Sequence, residues 1–316
     1  MKVVGLRRLG DMEDKLQQQF KDVDFIFTDG VSEVKKEDQD DLDIIFGYDG
    51  NISQSFLEQC PQLKWIAWYS TGVNNLPLKY IDENNILLTN GRGIHAKQMA
   101  EFIIAFILDD YKMMRTSYDN QNNRKYDSKI TAPMVKGERI LFLGTGNIAQ
   151  RTTTIAKALG LHITGVNTSG RSVKDFEKTY AIDDLNEALE QADIVVNTLP
   201  ETEKTVHLLN KAHFERMKDT ALFINVGRGT IVKEEIIINA LKERLIRYAY
   251  LDVFENEPLK SNNPLYDLEN VTITAHITGN GADHSKEATL LFMDNLSHFL
   301  NYGKLIENEV EPQNGY

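Results

Sequence analysis

Leu143-Gly144-Thr145-Gly146-Asn147-Ile148-Ala149 follows directly on the apolar run Arg139-Ile140-Leu141-Phe142. A helical stretch from Gln150 to Leu159 comes next and ends at Gly160, and a second apolar run, His162 to Val166, follows. A Gly-x-Gly-x-x-Ala sequence alone is weak evidence, because glycines also close ordinary turns. Placed between the strand and the helix of a β-turn-α-β unit, it predicts a dinucleotide-binding site.

Each residue type in this fingerprint has a physical task. Gly144 permits a tight turn, Gly146 leaves room for a pyrophosphate to approach the backbone, and Ala149 lets the helix pack closely on the strand. The first N–H groups of the helix have no intrahelical partner and are donors for phosphate oxygens. We therefore assign cofactor binding to Gly144, Thr145, Gly146, Asn147 and Ile148. The alternative is a glycine-rich turn in a sheet protein that binds no nucleotide.

Composition predicts a soluble enzyme. The 316 residues suffice for two domains, and 41% of them are hydrophobic. A formal net charge of −12 argues against nucleic acid or an anionic membrane as the main partner. The single cysteine, Cys60, forms no intrachain disulfide and suits a reducing cytosol. We expect a cytoplasmic protein without a signal peptide, a membrane span or a metal site.

Short apolar runs alternate with helical patterns along the chain. In the first hundred residues we predict strands at Lys2–Leu6, Asp24–Phe27, Ile44–Gly47, Leu63–Trp68 and Ile86–Thr89, with helices at Asp11–Phe20 and Ser53–Gln59. A long helix from His95 to Tyr118 and a polar loop from Asp119 to Tyr126 follow. Further strands are predicted at 139–143, 162–166, 194–198, 221–226, 247–252 and 271–276, and a last helix from Asp283 to Tyr302. This alternation predicts the α/β class, with two doubly wound parallel-sheet (Rossmann-like) domains and a ligand in the cleft between them.

Three ionisable residues lie at or near predicted strand ends. Arg228 stands between Gly227 and Gly229, where a permanently charged fork on a close-approaching loop suits a carboxylate or carbonyl oxygen. Taken alone, Glu257 is typical of a solvated acid in a loop. His276 ends an apolar strand, where a histidine is either a core residue with its hydrogen bonds satisfied or a proton carrier.

Six stretches together resemble the D-isomer-specific 2-hydroxyacid dehydrogenase family over nearly the whole chain. They are Ser70–Asn75, Leu143–Ala149, Thr198–Thr202, Ile224–Gly229, Leu251–Leu259, and Asn263 through His276. The resemblance implies a substrate-binding, flavodoxin-like domain of residues 1–97 plus 284–316. It implies a dinucleotide-binding Rossmann domain of residues 98–283, through which two copies form a homodimer.

The resemblance also implies roles in the reduction of a small 2-keto acid to a D-2-hydroxy acid. Arg228 should hold the substrate carboxylate and polarise its keto group. His276 should protonate the carbonyl oxygen, and Glu257 should hydrogen-bond His276 and keep it protonated. Further cofactor contacts are expected at Thr198, Leu199, Pro200, Val226, Gly227, Asp252 and Gly279. Substrate contacts are expected at Tyr48, Ser70, Thr71, Gly72, Val73 and Arg228, with Trp68, Tyr69 and Met293 as further candidates.

Two positions depart from the family pattern. Ala275 stands where the family often has proline before the histidine, and we expect little effect from it. NAD-dependent members carry an aspartate at the end of the second cofactor strand, about twenty residues beyond the first glycine. Here the residues are Asn167, Thr168, Ser169 and, two positions further, Arg171. We therefore predict NADP as the preferred cofactor, with NAD accepted; the alternative is an Arg171 that points to solvent and an enzyme that uses NAD without the acid.

The sequence is also compatible with other functions. A 3-phosphoglycerate dehydrogenase is an alternative within the class. Formate dehydrogenases fit less well, because their histidine is typically paired with glutamine rather than with the glutamate found at position 257. A non-catalytic NAD(P)-sensing protein of the corepressor type is the alternative from another class.

Overall fold

The computed structural model describes residues 1–313, which divide into two compact units, residues 1–94 with 282–313 and residues 95–281. The sequence placed the corresponding boundaries at 97/98 and 283/284. The strands are β1 (Lys2–Gly5), β2 (Asp24–Phe27), β3 (Ile44–Gly47), β4 (Trp65–Trp68), β5 (Leu87–Thr89), β6 (Arg139–Leu143), β7 (His162–Asn167), β8 (Lys178–Ala181), β9 (Ile194–Asn197), β10 (Leu222–Asn225), β11 (Tyr248–Leu251) and β12 (Val271–Ile273). The helices are α1 (Asp11–Gln19), α2 (Lys36–Gln39), α3 (Gln54–Leu57), α4 (Leu78–Glu83), α5 (Ala96–Tyr111), α6 (Met114–Asn122), α7 (Asn147–Ala158), α8 (Leu185–Gln191), α9 (Lys211–Arg216), α10 (Glu234–Lys242) and α11 (His284–Tyr302).

The first unit is built on a parallel sheet of five strands in the order β2-β1-β3-β4-β5. Successive side chains of a strand point to opposite faces, so Ile45 and Ile66 enter one core cluster while Ile44 and Trp65 enter the other. The last helix, α11, covers the second of these faces through Phe292 and its neighbours. Burial on both faces explains why the strands are nearly continuous apolar runs.

The second unit is built on a parallel sheet of seven strands in the order β12-β11-β10-β9-β6-β7-β8. Alternate residues of β6 feed two cores, Leu141 and Leu143 on one face and Ile140 and Phe142 on the other. The prediction of two parallel-sheet α/β domains is confirmed. Such sheets gather their functional loops at the carboxyl ends of the strands.

The predicted helix from His95 to Tyr118 is wrong as a single element. It breaks between α5 and α6 at Met113, which adopts a left-handed conformation with φ 53°. The break allows Arg115 to form ion pairs with Asp109 at 2.5 Å and with Asp110 at 3.4 Å. Side chains five or six residues apart project in different directions from a continuous helix, so this pairing requires the turn.

Two smaller expectations also fail. The polar stretch from Asp119, predicted as a loop, is helical as far as Asn122. β8 was not predicted, because its sequence, Lys-Thr-Tyr-Ala, carries little apolar signal and it lies at the sheet edge. None of the helices described for residues 1–313 combines the length and the apolar character that a membrane span requires.

Candidate active site

A buried carboxylate organises the chain around His276. Asp252, which directly follows β11, is fully buried and accepts four hydrogen bonds from the segment after β12. The donors are the Thr274 hydroxyl at 2.6 Å, the Ile277 N–H at 2.9 Å, and the Thr278 N–H and hydroxyl at 3.1 and 2.6 Å. His276 lies inside this segment with φ 54°, and its N–H donates to the Asp252 carbonyl at 2.8 Å. The Asp252 side chain, which the sequence assigned to the cofactor, is thus engaged in holding the histidine loop.

Glu257 orients the imidazole of His276. Its Oε2 lies 2.8 Å from His276 Nδ1, and its Oε1 accepts the Phe254 N–H at 2.9 Å. Both carboxylate oxygens are therefore engaged, and the imidazole turns its other nitrogen, Nε2, away from Glu257. About half of the His276 side-chain surface is exposed, so Nε2 is able to exchange a proton with a bound molecule.

Two buried asparagines at the ends of β9 and β10 shape the loop that carries Arg228. Asn197 donates to Asn225 Oδ1 at 2.8 Å and accepts the Leu199 N–H at 3.2 Å. Asn225 accepts the Gly227 N–H at 3.3 Å and donates to the Arg228 carbonyl at 3.2 Å. One pair of amides thus fixes the backbone after both strands. In the sequence, the signal for these two residues is a polar residue at the end of each apolar run.

Arg228 is exposed beside this scaffold. Its Nη1 donates to the Gly227 carbonyl at 2.8 Å, and within residues 1–313 it forms no ion pair with a carboxylate. A Cβ at Gly229 would lie 1.9–2.0 Å from backbone atoms of Phe254, so only glycine allows this contact. Phe254 is the residue whose N–H is held by Glu257. The structure therefore brings the backbone of the Arg228 loop against the loop that carries Glu257.

The fingerprint turn has the shape that a pyrophosphate requires. Gly144 has φ 94°, and a Cβ there would come within 3.1 Å of Thr198 Oγ1, whose hydroxyl donates to the Leu143 and Gly144 carbonyls. A Cβ at Gly146 would meet no described atom within 4 Å, so the backbone faces open space. α7 begins directly afterwards at Asn147 and directs its free N–H groups to that space. These residues fit the phosphates of a dinucleotide.

The loop after β7 carries the residues predicted to select the cofactor. Asn167 Oδ1 accepts the Ser169 N–H at 3.2 Å, and its Nδ2 donates to the Arg171 carbonyl at 2.9 Å, so this side chain closes the loop. Thr168, Ser169 and Arg171 are exposed, and Arg171 forms no ion pair among residues 1–313. The next acid along the chain, Asp175, pairs with Lys157 at 2.7 Å.

The remaining predicted cofactor residues follow the neighbouring strands. Thr198, Leu199 and Pro200 come directly after β9, and Val226 and Gly227 directly after β10. The carboxyl ends of these parallel strands share one edge of the sheet with the fingerprint turn. Gly279 lies beyond the histidine loop, and its carbonyl is 2.7 Å from His95 Nδ1.

In the first unit, the predicted substrate loop follows β4. Its Thr71 carbonyl accepts from Asn90 Nδ2 at 2.9 Å and its Gly72 carbonyl from Trp68 Nε1 at 2.8 Å, while the Val73 side chain is fully buried. A trans peptide points its C=O and N–H in opposite directions. The N–H groups of Gly72 and Val73 therefore point away from these partners, and neither donates a hydrogen bond within residues 1–313.

The other substrate candidates divide by exposure. Tyr48 is 48% exposed and its ring lies 4.7 Å from that of Trp68. Tyr69 and Met293 are buried in the core of the first unit, and burial raises the pKa of Tyr69 to about 12. The hydroxyl groups of Tyr69 and Thr289 form a hydrogen bond of 3.1 Å. Tyr69 and Met293 therefore stabilise the unit, and Tyr48 alone of these offers a large accessible surface.

Comparisons with known proteins agree with this geometry. The family model described as D-isomer specific 2-hydroxyacid dehydrogenase, NAD binding domain, matches residues 104–278. The chain is 33% identical to a glyoxylate reductase of Thermofilum pendens over 235 residues, which is 72% of this chain and 68% of that protein. It is 28% identical to glyoxylate/hydroxypyruvate reductase B of Serratia proteamaculans over 311 residues, 96% of this chain and 95% of that protein.

A solved structure extends the likeness to the whole fold. The D-isomer specific 2-hydroxyacid dehydrogenase family protein of Aeromonas salmonicida is 27% identical, with a TM-score of 0.82 over 98% of this chain and 99% of that one. The family model alone spans more than half of the chain. With the fingerprint turn, Arg228 and the Glu257–His276 pair in place, the chain belongs to the D-isomer specific 2-hydroxyacid dehydrogenases and is an NAD(P)-dependent enzyme of that family.

Proposed function

We propose that the enzyme reduces small 2-keto acids such as glyoxylate and hydroxypyruvate to D-2-hydroxy acids. The observation that carries the proposal is the Glu257–His276 pair, joined at 2.8 Å, because the loop of Glu257 also contacts the glycine-flanked turn of Arg228. Two of the relatives are named for the reduction of these acids. The match in residues and the match in names support the same chemistry.

Each of the three residues has one task in this reaction. The guanidinium of Arg228 binds the substrate carboxylate and polarises the keto oxygen, since its planar fork suits two oxygens at once. The nicotinamide cofactor, when bound, supplies the hydride. His276 gives the proton on Nε2 to the carbonyl oxygen as negative charge develops there. Glu257 orients the imidazole through Nδ1 and stabilises its positive charge.

We propose NADP as the preferred cofactor. A 2′-phosphate at the loop after β7 meets the exposed Arg171 and the hydroxyls of Thr168 and Ser169, and from Val166 to Val173 the loop has no carboxylate to repel it. A ribose 2′-hydroxyl finds no carboxylate there to accept its hydrogen bond. NAD therefore binds without the gain of a charge-assisted hydrogen bond, which lowers its affinity but does not exclude it.

We propose a homodimer that buries the segment around α6. Four large apolar side chains of this segment are exposed, namely Met114 at 38%, Tyr118 at 55%, Tyr126 at 96% and Met134 at 68%. Such a concentration of exposed apolar surface is typical of a contact surface. Light scattering at micromolar concentration tests the proposal, and a monomer contradicts it.

We also propose a cytoplasmic location, because the free thiol of Cys60 suits a reducing compartment. Cell fractionation tests this location.

Steady-state kinetics with both cofactors tests the function. Purified enzyme is assayed with glyoxylate, hydroxypyruvate, longer 2-keto acids and 3-phosphohydroxypyruvate, each with NADPH and with NADH. The small unphosphorylated acids should give the highest kcat/KM. A preference for the phosphorylated acid indicates the 3-phosphoglycerate dehydrogenase reaction, and no turnover with any acid indicates a sensor.

A matched control separates the active-site pair from an ordinary surface pair. His162 also pairs with a glutamate, Glu177, at 2.9 Å and is similarly exposed, at the start of β7. His162→Ala should leave kcat within twofold of wild type, whereas His276→Ala should abolish most of it. Equal effects of the two substitutions contradict the assignment of His276.

A further inference from the structure

In the loop Thr71-Gly72-Val73, a side-chain donor holds the carbonyl of each of two adjacent peptide groups. Asn90 Nδ2 binds the Thr71 carbonyl at 2.9 Å, and Trp68 Nε1 binds the Gly72 carbonyl at 2.8 Å. Because each peptide is planar and trans, fixing the two carbonyls also fixes the N–H groups of Gly72 and Val73 in the opposite direction. A Cβ at Gly72 would meet no described atom within 4 Å, so the space beside the loop is open.

Asn90 is itself held by the segment after α11. Its N–H donates to the Asn308 carbonyl at 3.1 Å, and Asn308 Nδ2 donates to the carbonyls of Asn90 at 3.2 Å and Arg92 at 2.6 Å. The Val310 N–H continues this pairing along β5, at 2.8 Å from the Leu88 carbonyl. The buried amide of Asn90 is therefore fixed on its backbone side by Asn308 and reaches the loop with its side chain.

We propose that Trp68 and Asn90 are positioning residues for carboxylate binding, and that Asn308 holds Asn90 in place for this task. The inference rests on the proposed function and on the substrate contacts that the family resemblance implies for Ser70 to Val73. Successive backbone N–H groups form an anion site only while both peptides keep their orientation. If a peptide flips, a carbonyl oxygen replaces the N–H and repels the carboxylate. The indole N–H and the Asn90 amide oppose this flip.

Trp68→Phe tests the inference with little change in shape. Phenylalanine keeps an aromatic ring beside Tyr48 but cannot donate to the Gly72 carbonyl. We expect the KM for the keto acid, and the Kd for oxamate measured by calorimetry, to rise about three- to tenfold, the loss of one hydrogen bond. The kcat should stay within threefold of wild type and the Kd for NADPH within twofold.

The only other tryptophan supplies the matched control. Trp65 Nε1 also donates a single hydrogen bond, to Thr89 Oγ1 at 3.0 Å, and its side chain is fully buried in the same sheet. Trp65→Phe removes an equivalent bond and disturbs the core at least as much. It should lower thermal stability and leave the KM for the keto acid within twofold. A KM that rises equally in both variants shows a structural effect and overturns the proposal.

Substitutions at the two asparagines give an independent test. Asn90→Ala should raise the Kd for oxamate like Trp68→Phe, and Asn308→Gly, which keeps the left-handed backbone at φ 57°, should raise it by a smaller factor. If the wild type turns over keto acids and all three variants keep its oxamate affinity, this inference alone fails. If the wild type neither turns over a keto acid nor binds oxamate, the proposed function fails with it.

Discussion

Replacing Asp252 by asparagine should disturb the segment that carries His276 while leaving the catalytic groups themselves intact. The carboxylate is fully buried and accepts two backbone N–H groups, one on each oxygen, together with two hydroxyls. Hydroxyls can rotate to accept from an amide, but a backbone N–H cannot. One of the Ile277 and Thr278 N–H groups must therefore face the new NH₂ group, without an acceptor.

The magnitude follows from these contacts. A buried donor without a partner costs about 1–3 kcal/mol, and the remaining bonds lose the strengthening that an ionised acceptor gives. We expect the free energy of unfolding in urea to fall by about 2–4 kcal/mol. The segment should relax around His276, so that kcat falls about tenfold or more, because small misplacements of a catalytic group are costly.

Thr274→Val is the control for this experiment. It removes one hydroxyl bond of 2.6 Å and leaves both backbone bonds to the carboxylate intact. It should cost about 1 kcal/mol and keep kcat within threefold. The reasoning is refuted if Asp252→Asn changes the free energy of unfolding by less than about 0.5 kcal/mol or keeps kcat within twofold. An increase in the Kd for NADPH alone, without loss of stability, assigns the carboxylate to the cofactor instead.

The other predictions concern the side chains that act directly. His276→Ala should lower kcat by about 10²–10⁴-fold and leave the Kd for NADPH, measured by fluorescence titration, near that of wild type. Arg228→Lys keeps the charge but loses the fork, so the KM for the keto acid should rise and kcat fall; a change in cofactor affinity alone contradicts the role. Glu257→Gln keeps a partner for the imidazole without its charge and should lower kcat at neutral pH, an effect that single-turnover kinetics assigns to the chemical step. Arg171→Ala should lower the preference for NADPH over NADH by about ten- to a hundredfold, with the largest effect at low salt. Asn167→Asp should also shift the preference toward NADH. An unchanged ratio of the kcat/KM values for the two cofactors shows that this loop does not select the cofactor.

Local signals explain what the sequence predicted well. The run from Arg139 to Val166 contains a strand, a glycine turn, a helix and a second strand within thirty residues, so neighbouring residues suffice to identify the unit. The helix nevertheless begins at Asn147, three residues before the predicted Gln150. The difference places the fingerprint residues Asn147 and Ile148 inside the first turn, where free N–H groups lie.

Tertiary interactions explain what the sequence did not predict. The break at Met113 lies in a run without proline or glycine, and it is stabilised by Arg115, which contacts Asp109 and packs 3.8 Å above the ring of Tyr248. Tyr248 belongs to a strand more than a hundred residues further along the chain. Helix propensity contains no information on such a partner, so tertiary contacts override the local pattern.

Four polar residues at the ends of buried strands show a common physical cause for the geometry of both units. Asn90, Asn197, Asn225 and Asp252 are all buried, and each is the last residue of a parallel strand or the first after it. A buried amide or carboxylate is costly unless its hydrogen bonds are complete, and at a strand end the nearest unpaired groups are the backbone atoms of the following loops. Satisfying the side chain therefore also fixes the loop, here the loops that carry Thr71, Arg228 and His276. The buried side chains thereby restrain the functional loops against each core. A polar residue that ends an apolar run in such a sheet is therefore a candidate positioning residue, even when it contacts neither substrate nor cofactor.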